Sequence, residues 1–116
     1  MPQLISYGNE LIRINPANNH IEASTTRGSS WFNRYSGSAP GQFKDLLAYG
    51  NEVLACTSKG IFFSTTRGGS WSSRCISPTC QTFTSLVDGG RELQANTADG
   101  HLYVSTTKGS SWFRRR

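Results

Sequence analysis

The chain of 116 residues is long enough for one ordinary domain with a modest hydrophobic core. Its 12 Lys and Arg residues outnumber its 7 acidic residues, and the resulting net charge of +5 permits binding to nucleic acid or acidic glycans without requiring it. No stretch reaches the roughly 18 apolar residues of a membrane helix, and the N-terminus lacks the basic-then-apolar pattern of a signal sequence. These features predict a protein without membrane spans and with a cytoplasmic location.

Composition also predicts the secondary structure. The chain has 12 Gly, three Trp, six Phe and four Tyr, and few residues that favour helices. Such a composition favours strands joined by tight turns, and no segment shows helical periodicity. We therefore expect an all-β protein.

An octapeptide occurs three times, as STTRGSSW, STTRGGSW and STTKGSSW. Its first residues are Ser24, Ser64 and Ser105, so the spacings are 40 and 41 residues. A fixed period in this range indicates a repeat architecture. The similarity continues upstream of each octapeptide and predicts three units, at 1–36, 37–77 and 78–116.

The alternation of apolar runs and turns in each unit predicts four short strands, A to D. In the first unit, strands A to C cover 3–7, 11–14 and 21–25, and strand D begins at Trp31. In the second unit they cover 43–49, 53–57 and 61–65, and strand D begins at Trp71. In the third they cover 83–87, 93–97 and 102–106, and strand D begins at Trp112. Gly-Asn or Gly-Gly between strands A and B suits tight hairpins, because both residue types tolerate positive φ.

Four antiparallel strands every forty residues are typical of a β-propeller blade. The pattern Ser-x-x-x-Gly-x-Ser-Trp after a third strand, preceded by a YGNEVL or DGGREL hairpin, resembles the Asp-box (BNR) repeat of sialidase-like β-propellers over nearly the whole chain. The resemblance implies that the octapeptide is a structural turn between strands C and D. One feature departs from the family, since Thr26, Thr66 and Thr107 replace the acidic residue that names the box.

The residue types of the octapeptide fit a structural role. Serine hydroxyls can bond nearby backbone amides, glycine supplies the turn conformation, and tryptophan buries a large ring. We therefore interpret these repeated positions as structural: Ser24, Gly28, Trp31, Ser64, Gly68, Trp71, Ser105, Gly109 and Trp112.

Three blades are fewer than the four to eight of known propellers, so two blade faces should be open and expose apolar surface. Two chains related by a two-fold axis would complete a ring of six blades, the number found in the sialidases that the repeat resembles. We expect a homodimer of this kind. A monomeric β-trefoil, which also has three four-stranded repeats, is the alternative.

The loops should divide between two ends of the blades. If the A–B and C–D turns share one end, the B–C and D–A loops share the other, where sialidase-like propellers have their sites. The B–C loops also differ in length, and loops on a rigid scaffold commonly bind ligands. The candidate ligand-binding residues are Asn18, Asn19, His20, Gln42, Lys44, Lys59, Gln81, Asp99 and His101.

Three functions compete. Catalysis of the sialidase type is disfavoured because the arginine motif of that family is absent, and Asp45 and Asp99, the carboxylates left for another glycosidase, are interpreted as solvated loop residues. A non-catalytic binding or scaffold module, with lectin-like recognition of small glycans, requires less of the sequence. The alternative is a basic scaffold for protein or nucleic acid, using the recurring cations Arg27, Arg67, Lys108, Arg34, Arg74 and Arg115. We interpret these cations as solvated charges on turns and outer strands.

The three cysteines suggest no metal or cofactor. Cys56 lies in an apolar run and is most simply a small buried side chain. A disulfide between Cys75 and Cys80 is sterically conceivable, but reduced thiols fit a cytosolic chain better. His20 and His101 show no metal-ligand spacing with the cysteines, so no metal site and no cofactor are expected.

Overall fold

The computed structural model describes residues 4–15 and 17–115 and consists of three four-stranded antiparallel sheets. The first sheet, blade 1, contains β1 (Leu4–Tyr7), β2 (Glu10–Asn15), β3 (His20–Ser24) and β4 (Phe32–Tyr35). Blade 2 contains β5 (Phe43–Tyr49), β6 (Glu52–Thr57), β7 (Gly60–Ser64) and β8 (Ser72–Cys75). A short 3-10 turn, Cys80–Thr82, leads into blade 3, which contains β9 (Phe83–Asp88), β10 (Leu93–Thr97), β11 (Leu102–Ser105) and β12 (Phe113–Arg114).

The strand order within each blade follows the chain order, as in a propeller blade. The expected all-β class and the four strands per repeat are confirmed, and the observed strand ends lie within one residue of the predicted ones. Strand D begins one residue after the tryptophan in each blade. The predicted start of the first strand at Gln3 lies outside the described residues.

The hydrophobic core lies between blades rather than within them. Successive side chains of a strand point to opposite sides of the sheet. In β6, Val53 and Ala55 belong to the cluster shared with blade 1, whereas Leu54 and Cys56 belong to the cluster shared with blade 3. We call the side of a blade that faces the next blade along the chain its front face, and the opposite side its back face.

The octapeptide forms the same turn in all three blades. In blade 2 the Ser64 hydroxyl accepts hydrogen bonds from the backbone N–H groups of Thr66 (3.2 Å) and Gly68 (2.8 Å). The Thr66 hydroxyl accepts from the Ser70 amide at 2.8 Å, and Trp71 Nε1 donates to the Gly68 carbonyl at 3.0 Å. Equivalent bonds recur in blades 1 and 3. A threonine hydroxyl thus holds this turn together in each blade.

Asp45 is not the solvated loop residue that we expected from the sequence. It lies in β5, and the residue is only 8% exposed. Its Oδ1 accepts a hydrogen bond from the Leu46 amide at 3.0 Å, and its Oδ2 accepts one from the Leu86 amide of blade 3 at 2.8 Å. Burial raises the pKa of this carboxyl, while the two amides oppose that shift. Asp45 therefore joins the first strands of two blades.

The cysteines also differ from expectation in one respect. Cys75 and Cys80 are joined by a disulfide, which corrects the interpretation of both as reduced thiols. The chain turns back around Cys80, where the Gln81 amide bonds to the Ser77 carbonyl, and the Cα atoms of the two cysteines lie 6.1 Å apart. Cys56 is fully buried as expected, and its burial raises the pKa of the thiol to about 12. The Cys56 thiol therefore stays protonated and unreactive at neutral pH.

Candidate functional site

The turns and loops separate into two ends of the blades, as the repeat predicts. At one end, which we call the turn end, Arg34 in β4 contacts Glu10 at the A–B hairpin and the Arg67 carbonyl in the C–D turn of blade 2. At the opposite loop end, Asn19 of a B–C loop bonds to Gly41 of a D–A connection. Each end therefore brings together one pair of connection types.

The loop end contains a groove of about 670 Å³ beside blade 3. Three predicted residues, Lys44, Asp99 and His101, meet in its lining. The other lining residues are Pro78, Thr79, Thr82, Thr84, Thr97, Ala98 and Tyr103. The groove therefore combines a D–A connection, a B–C loop and the first strand of the neighbouring blade.

Lys44 is presented to the groove by an irregularity in β5. The pairing of β5 with β6 shifts register between Phe43 and Asp45, so Lys44 has no partner there. Its Nζ donates a hydrogen bond to the Gln81 carbonyl at 3.2 Å. The Gln81 side chain itself donates to the Ile76 carbonyl at 3.1 Å, so Gln81 supports the wall of the groove.

Asp99 and His101 form a small polar unit with Thr97. The Thr97 hydroxyl donates to Asp99 Oδ1, and His101 Nε2 lies 3.6 Å from Asp99 Oδ2. The hydrogen bond from Thr97 and the nearby imidazole hold the pKa of Asp99 below its usual range. Asp99 is thus an ionised, solvent-exposed acceptor at neutral pH.

Tyr103 and the groove threonines were missed by the reasoning from sequence. The Tyr103 ring packs against Phe83, with 5.4 Å between ring centroids, and is half-buried. The threonine-rich segment TCQTFT at 79–84 was the available signal, but threonine is common in strands and turns for other reasons.

The other candidates do not join the groove lining. Asn19 fastens the blade 1 loop, because its Nδ2 donates to the Gly41 carbonyl at 2.9 Å and its Oδ1 accepts from the Phe43 amide at 2.8 Å. The Asn18 Oδ1 accepts from the His20 amide within the same loop. Gln42 and Lys59 are exposed.

Arg34 and Arg74 at the turn end are paired, which corrects the interpretation of these two as solvated cations, whereas Arg27, Arg67 and Lys108 are exposed. Arg34 binds both carboxylate oxygens of Glu10 at 2.7 and 3.1 Å, and Arg74 binds both oxygens of Glu52 at 2.6 and 2.8 Å. The side chains of Arg34 and Arg74 are only 16% and 13% exposed. Hydrogen bonds from these guanidinium groups lower the pKa values of Glu10 and Glu52. The basic surface is therefore smaller than the charge count indicates.

Within 4–15 and 17–115, no His, Cys, Asp and Glu side chains gather in a group of three or more that could hold a metal ion. No helix in the same part of the chain is long and apolar enough to cross a membrane.

The sequence matches no family model and none of the curated proteins. Among solved structures, the chain is similar to YCF48 bound to D1 peptide, with a TM-score of 0.74, 16% identity, and coverage of 97% of this chain and 40% of that one. YCF48 from Cyanidioschyzon merolae gives a TM-score of 0.70 and 19% identity, with 97% and 37% covered. An ancestral GH74 enzyme, AFV00434, gives a TM-score of 0.70 and 18% identity, with 97% and 18% covered.

These neighbours are β-propellers, and the chain spans about two fifths of the length of the YCF48 proteins. The blade architecture is thereby established at the level of the fold. The chain is an all-β protein with three four-stranded sheets arranged as in a β-propeller.

Proposed function

We propose that this chain is a non-catalytic propeller binding module, and that the groove beside blade 3 binds a small glycan. The observation that carries the proposal is the meeting of Lys44, Asp99 and His101, three residues predicted from sequence alone, in one groove at the loop end. Ligand sites on rigid scaffolds typically combine a concave surface with a few convergent polar groups.

The groove offers the groups that sugars require. Tyr103 supplies an aromatic surface, the threonines supply hydroxyls that donate and accept, and Asp99 supplies a charged acceptor. The ammonium group of Lys44, from blade 2, adds a donor to the lining. A short peptide is the second candidate, supported by the similarity to YCF48, whose structure contains a bound D1 peptide.

The chemistry of a two-carboxylate glycosidase has less support. Such enzymes place two carboxyl groups on either side of one scissile bond. Asp45 is engaged by two backbone amides between blades and does not line the groove, which leaves Asp99 as its one carboxylate. Nucleic acid is also less favoured, because Arg34 and Arg74 are already bound to Glu10 and Glu52.

Binding can be tested with a panel of neutral oligosaccharides and a panel of short peptides, measured by isothermal titration calorimetry. For the glycan bound most tightly, Asp99→Asn should weaken binding about 10-fold to 100-fold, because a hydrogen bond to a charged group contributes about 1.5–3 kcal/mol. Lys59→Ala is the matched control, since Lys59 is exposed on a B–C loop and outside the groove lining.

Neutral sugars carry no charge, so their binding should persist at high salt. Peptide binding without glycan binding would replace the glycan with the second candidate. Binding that is unchanged by Asp99→Asn would show that the groove is not the site.

We further propose that two chains complete a six-bladed ring. The structure leaves the back face of blade 1 and the front face of blade 3 without a neighbouring blade. Light scattering should then give twice the chain mass of 12.7 kDa at high protein concentration. A mass of one chain at every concentration would contradict the ring.

A further inference from the structure

The two joints between blades in this chain are built from the same contacts. Arg34 of blade 1 donates to the Arg67 carbonyl in the C–D turn of blade 2 at 3.1 Å. Arg74 of blade 2 donates in the same way to the Lys108 carbonyl of blade 3, also at 3.1 Å. Arg67, Lys108 and their blade 1 counterpart Arg27 have φ values of 60°, 61° and 59°. Each C–D turn therefore offers its carbonyl from the same backbone conformation.

The same turns sit on the preceding blade through a glycine. A Cβ on Gly68 would lie 3.1 Å from Cγ2 of Ile21 in blade 1, and a Cβ on Gly109 would lie 3.3 Å from Cγ2 of Ile61 in blade 2. Ile21 and Ile61 are equivalent positions of strand C. A glycine at this point thus allows the turn to approach the front face of the preceding blade closely.

Each joint also contains a charged contact between a glutamate and the cation of the next C–D turn. Arg67 Nη1 lies 3.8 Å from Glu10 Oε2 in the preceding blade, and Lys108 lowers the pKa of Glu52 through its charge. The glutamate of one blade is thus held between the arginine of its own strand D and the cation of the next C–D turn.

Blade 3 and blade 1 each contain the residues that would form one side of such a joint, although neither has a neighbouring blade there. On blade 3, Arg115 Nη1 binds Glu92 at 2.6 Å, and Leu102 occupies the position equivalent to Ile21 and Ile61. On blade 1, Arg27 and Gly28 form the C–D turn, which contacts no preceding blade in this chain. A hollow of about 290 Å³ lies beside this turn, lined in part by Arg27 and Leu11.

The strand B positions at these open ends are polar, which the expectation of apolar open faces did not include. Gln94 and Asn96 on the front face of blade 3 replace Leu54 and Cys56 of blade 2. On the back face of blade 1, Arg13 stands where blade 2 has Ala55.

Arg13 is held in a polar cluster. It forms an ion pair with Glu22 at 2.8 Å and stacks over the Trp31 ring at 3.9 Å from its centroid. Apolar side chains surround both polar centres, since Leu4 is 54% exposed, Val87 44% and Phe113 52%. Each open face therefore combines a polar centre with an apolar periphery.

We infer that blade 3 of one chain docks on blade 1 of a second copy through a polar latch. Arg115 and Glu92 of blade 3 contact the C–D turn of the second copy that contains Arg27. Gln94 and Asn96 of blade 3 lie around Arg13 of the second copy. This inference rests on the proposed pairing of two chains and specifies its interface. Each ring contains two identical latches, because the two-fold axis repeats the same joint.

The polar latch should make the joint between two copies less stable than the joints within a chain. Burying hydrogen-bonded polar groups contributes less net stability than burying apolar surface of the same area. The joint between copies is therefore weaker than the joints within a chain, and its charged contacts make it sensitive to salt.

Charge variants of Asn96 test the latch. In the dimer, Asn96→Asp places a carboxylate beside Arg13 of the second copy and should lower the dissociation constant, whereas Asn96→Lys should raise it about 10-fold or more, which corresponds to about 1.4 kcal/mol. Asn51→Asp and Asn51→Lys are the matched controls, because Asn51 is an exposed turn residue of blade 2, away from both open faces. Sedimentation equilibrium gives the dissociation constants, and circular dichroism reports the fold of each variant.

The results separate the latch from the ring. A dimer whose dissociation constant responds equally to the Asn96 and Asn51 variants would use another surface, and the latch would be wrong while dimerisation stands. A single-chain mass at all concentrations would overturn both. If Asn96→Lys fails to fold, a dissociation constant for Asn96→Asp that is unchanged from the original chain would overturn the latch.

Discussion

Replacing Gly60 with alanine should destabilise the chain by about 2 to 6 kcal/mol, the sum of backbone strain and overpacking. Gly60 begins β7 with a φ of +132°, a conformation that residues with a side chain rarely adopt. An added Cβ would lie 2.1 Å from the Cys75 carbonyl oxygen and 2.9 Å from Cα of Ile76. Both atoms belong to the backbone, so neither can rotate away as a flexible side chain would.

Gly100→Ala is the matched comparison for Gly60→Ala. Gly100 lies in the B–C loop of blade 3 with a φ of +91°, but apart from its two chain neighbours no residue has an atom within 4 Å of the position of an added Cβ. This variant therefore carries the conformational cost of about 1–3 kcal/mol without the collision. Urea denaturation followed by tryptophan fluorescence measures both variants. Equal losses in the free energy of unfolding for the two variants would mean that the backbone near Cys75 moves away from the added Cβ without loss of stability.

The blade architecture could be predicted because the same sequence pattern occurs three times in the chain. Ser64, Gly68 and Trp71 each have a local role, in a turn whose hydrogen bonds span four residues or fewer. Residues with local roles of this kind can be recognised as a sequence motif. A motif that recurs every forty residues or so predicts a four-stranded blade. For the same reason, the predicted strand ends agree with the observed ones to within one residue.

The ion pairs at the turn end were not predicted, although their components were noticed. Glu10 and Glu52 occupy the same position of the repeated A–B hairpin, and Arg34 and Arg74 were among the recurring cations. Their pairing needs the knowledge that β2 and β4 lie on either side of β3 in one sheet, with both ends of the pair at the turn end. A nearly constant separation of 22 to 24 residues between each glutamate and its arginine was the available signal.

The groove was only partly predictable because its residues come from two blades. Asp99 and His101 belong to one loop and could be grouped from sequence, and Lys44 was a candidate for its position near a D–A connection. Tyr103 lies in the middle of a strand, where an aromatic residue is ordinarily assigned to the core. Asp45 shows the opposite error, since it was interpreted as a solvated loop residue and the structure places it between two blades.

Replacing Trp71 with alanine should cost about 3–5 kcal/mol of unfolding free energy, the range for removing a large aromatic side chain from a packed interior. The Trp71 ring lies on the back face of blade 2 in the cluster shared with blade 1, and its centroid is 5.2 Å from that of Phe43. Its Nε1 also donates to the Gly68 carbonyl at 3.0 Å, so the variant loses one hydrogen bond as well. Urea denaturation followed by circular dichroism measures the loss.

Trp31→Ala separates the packing between blades from the hydrogen bond within the turn. Trp31 makes the same bond, from Nε1 to the Gly28 carbonyl at 3.1 Å, but its ring lies on the open back face of blade 1 with Arg13 stacked over it. Its replacement should cost about 1–2 kcal/mol in a single chain, the sum of one hydrogen bond and one exposed cation–π contact. Equal costs for the two variants would mean that the joint between blades 1 and 2 does not depend on its tryptophan. If two chains form the ring, Trp31 lies in a joint as Trp71 does, and the cost of Trp31→Ala should rise with protein concentration while that of Trp71→Ala changes less.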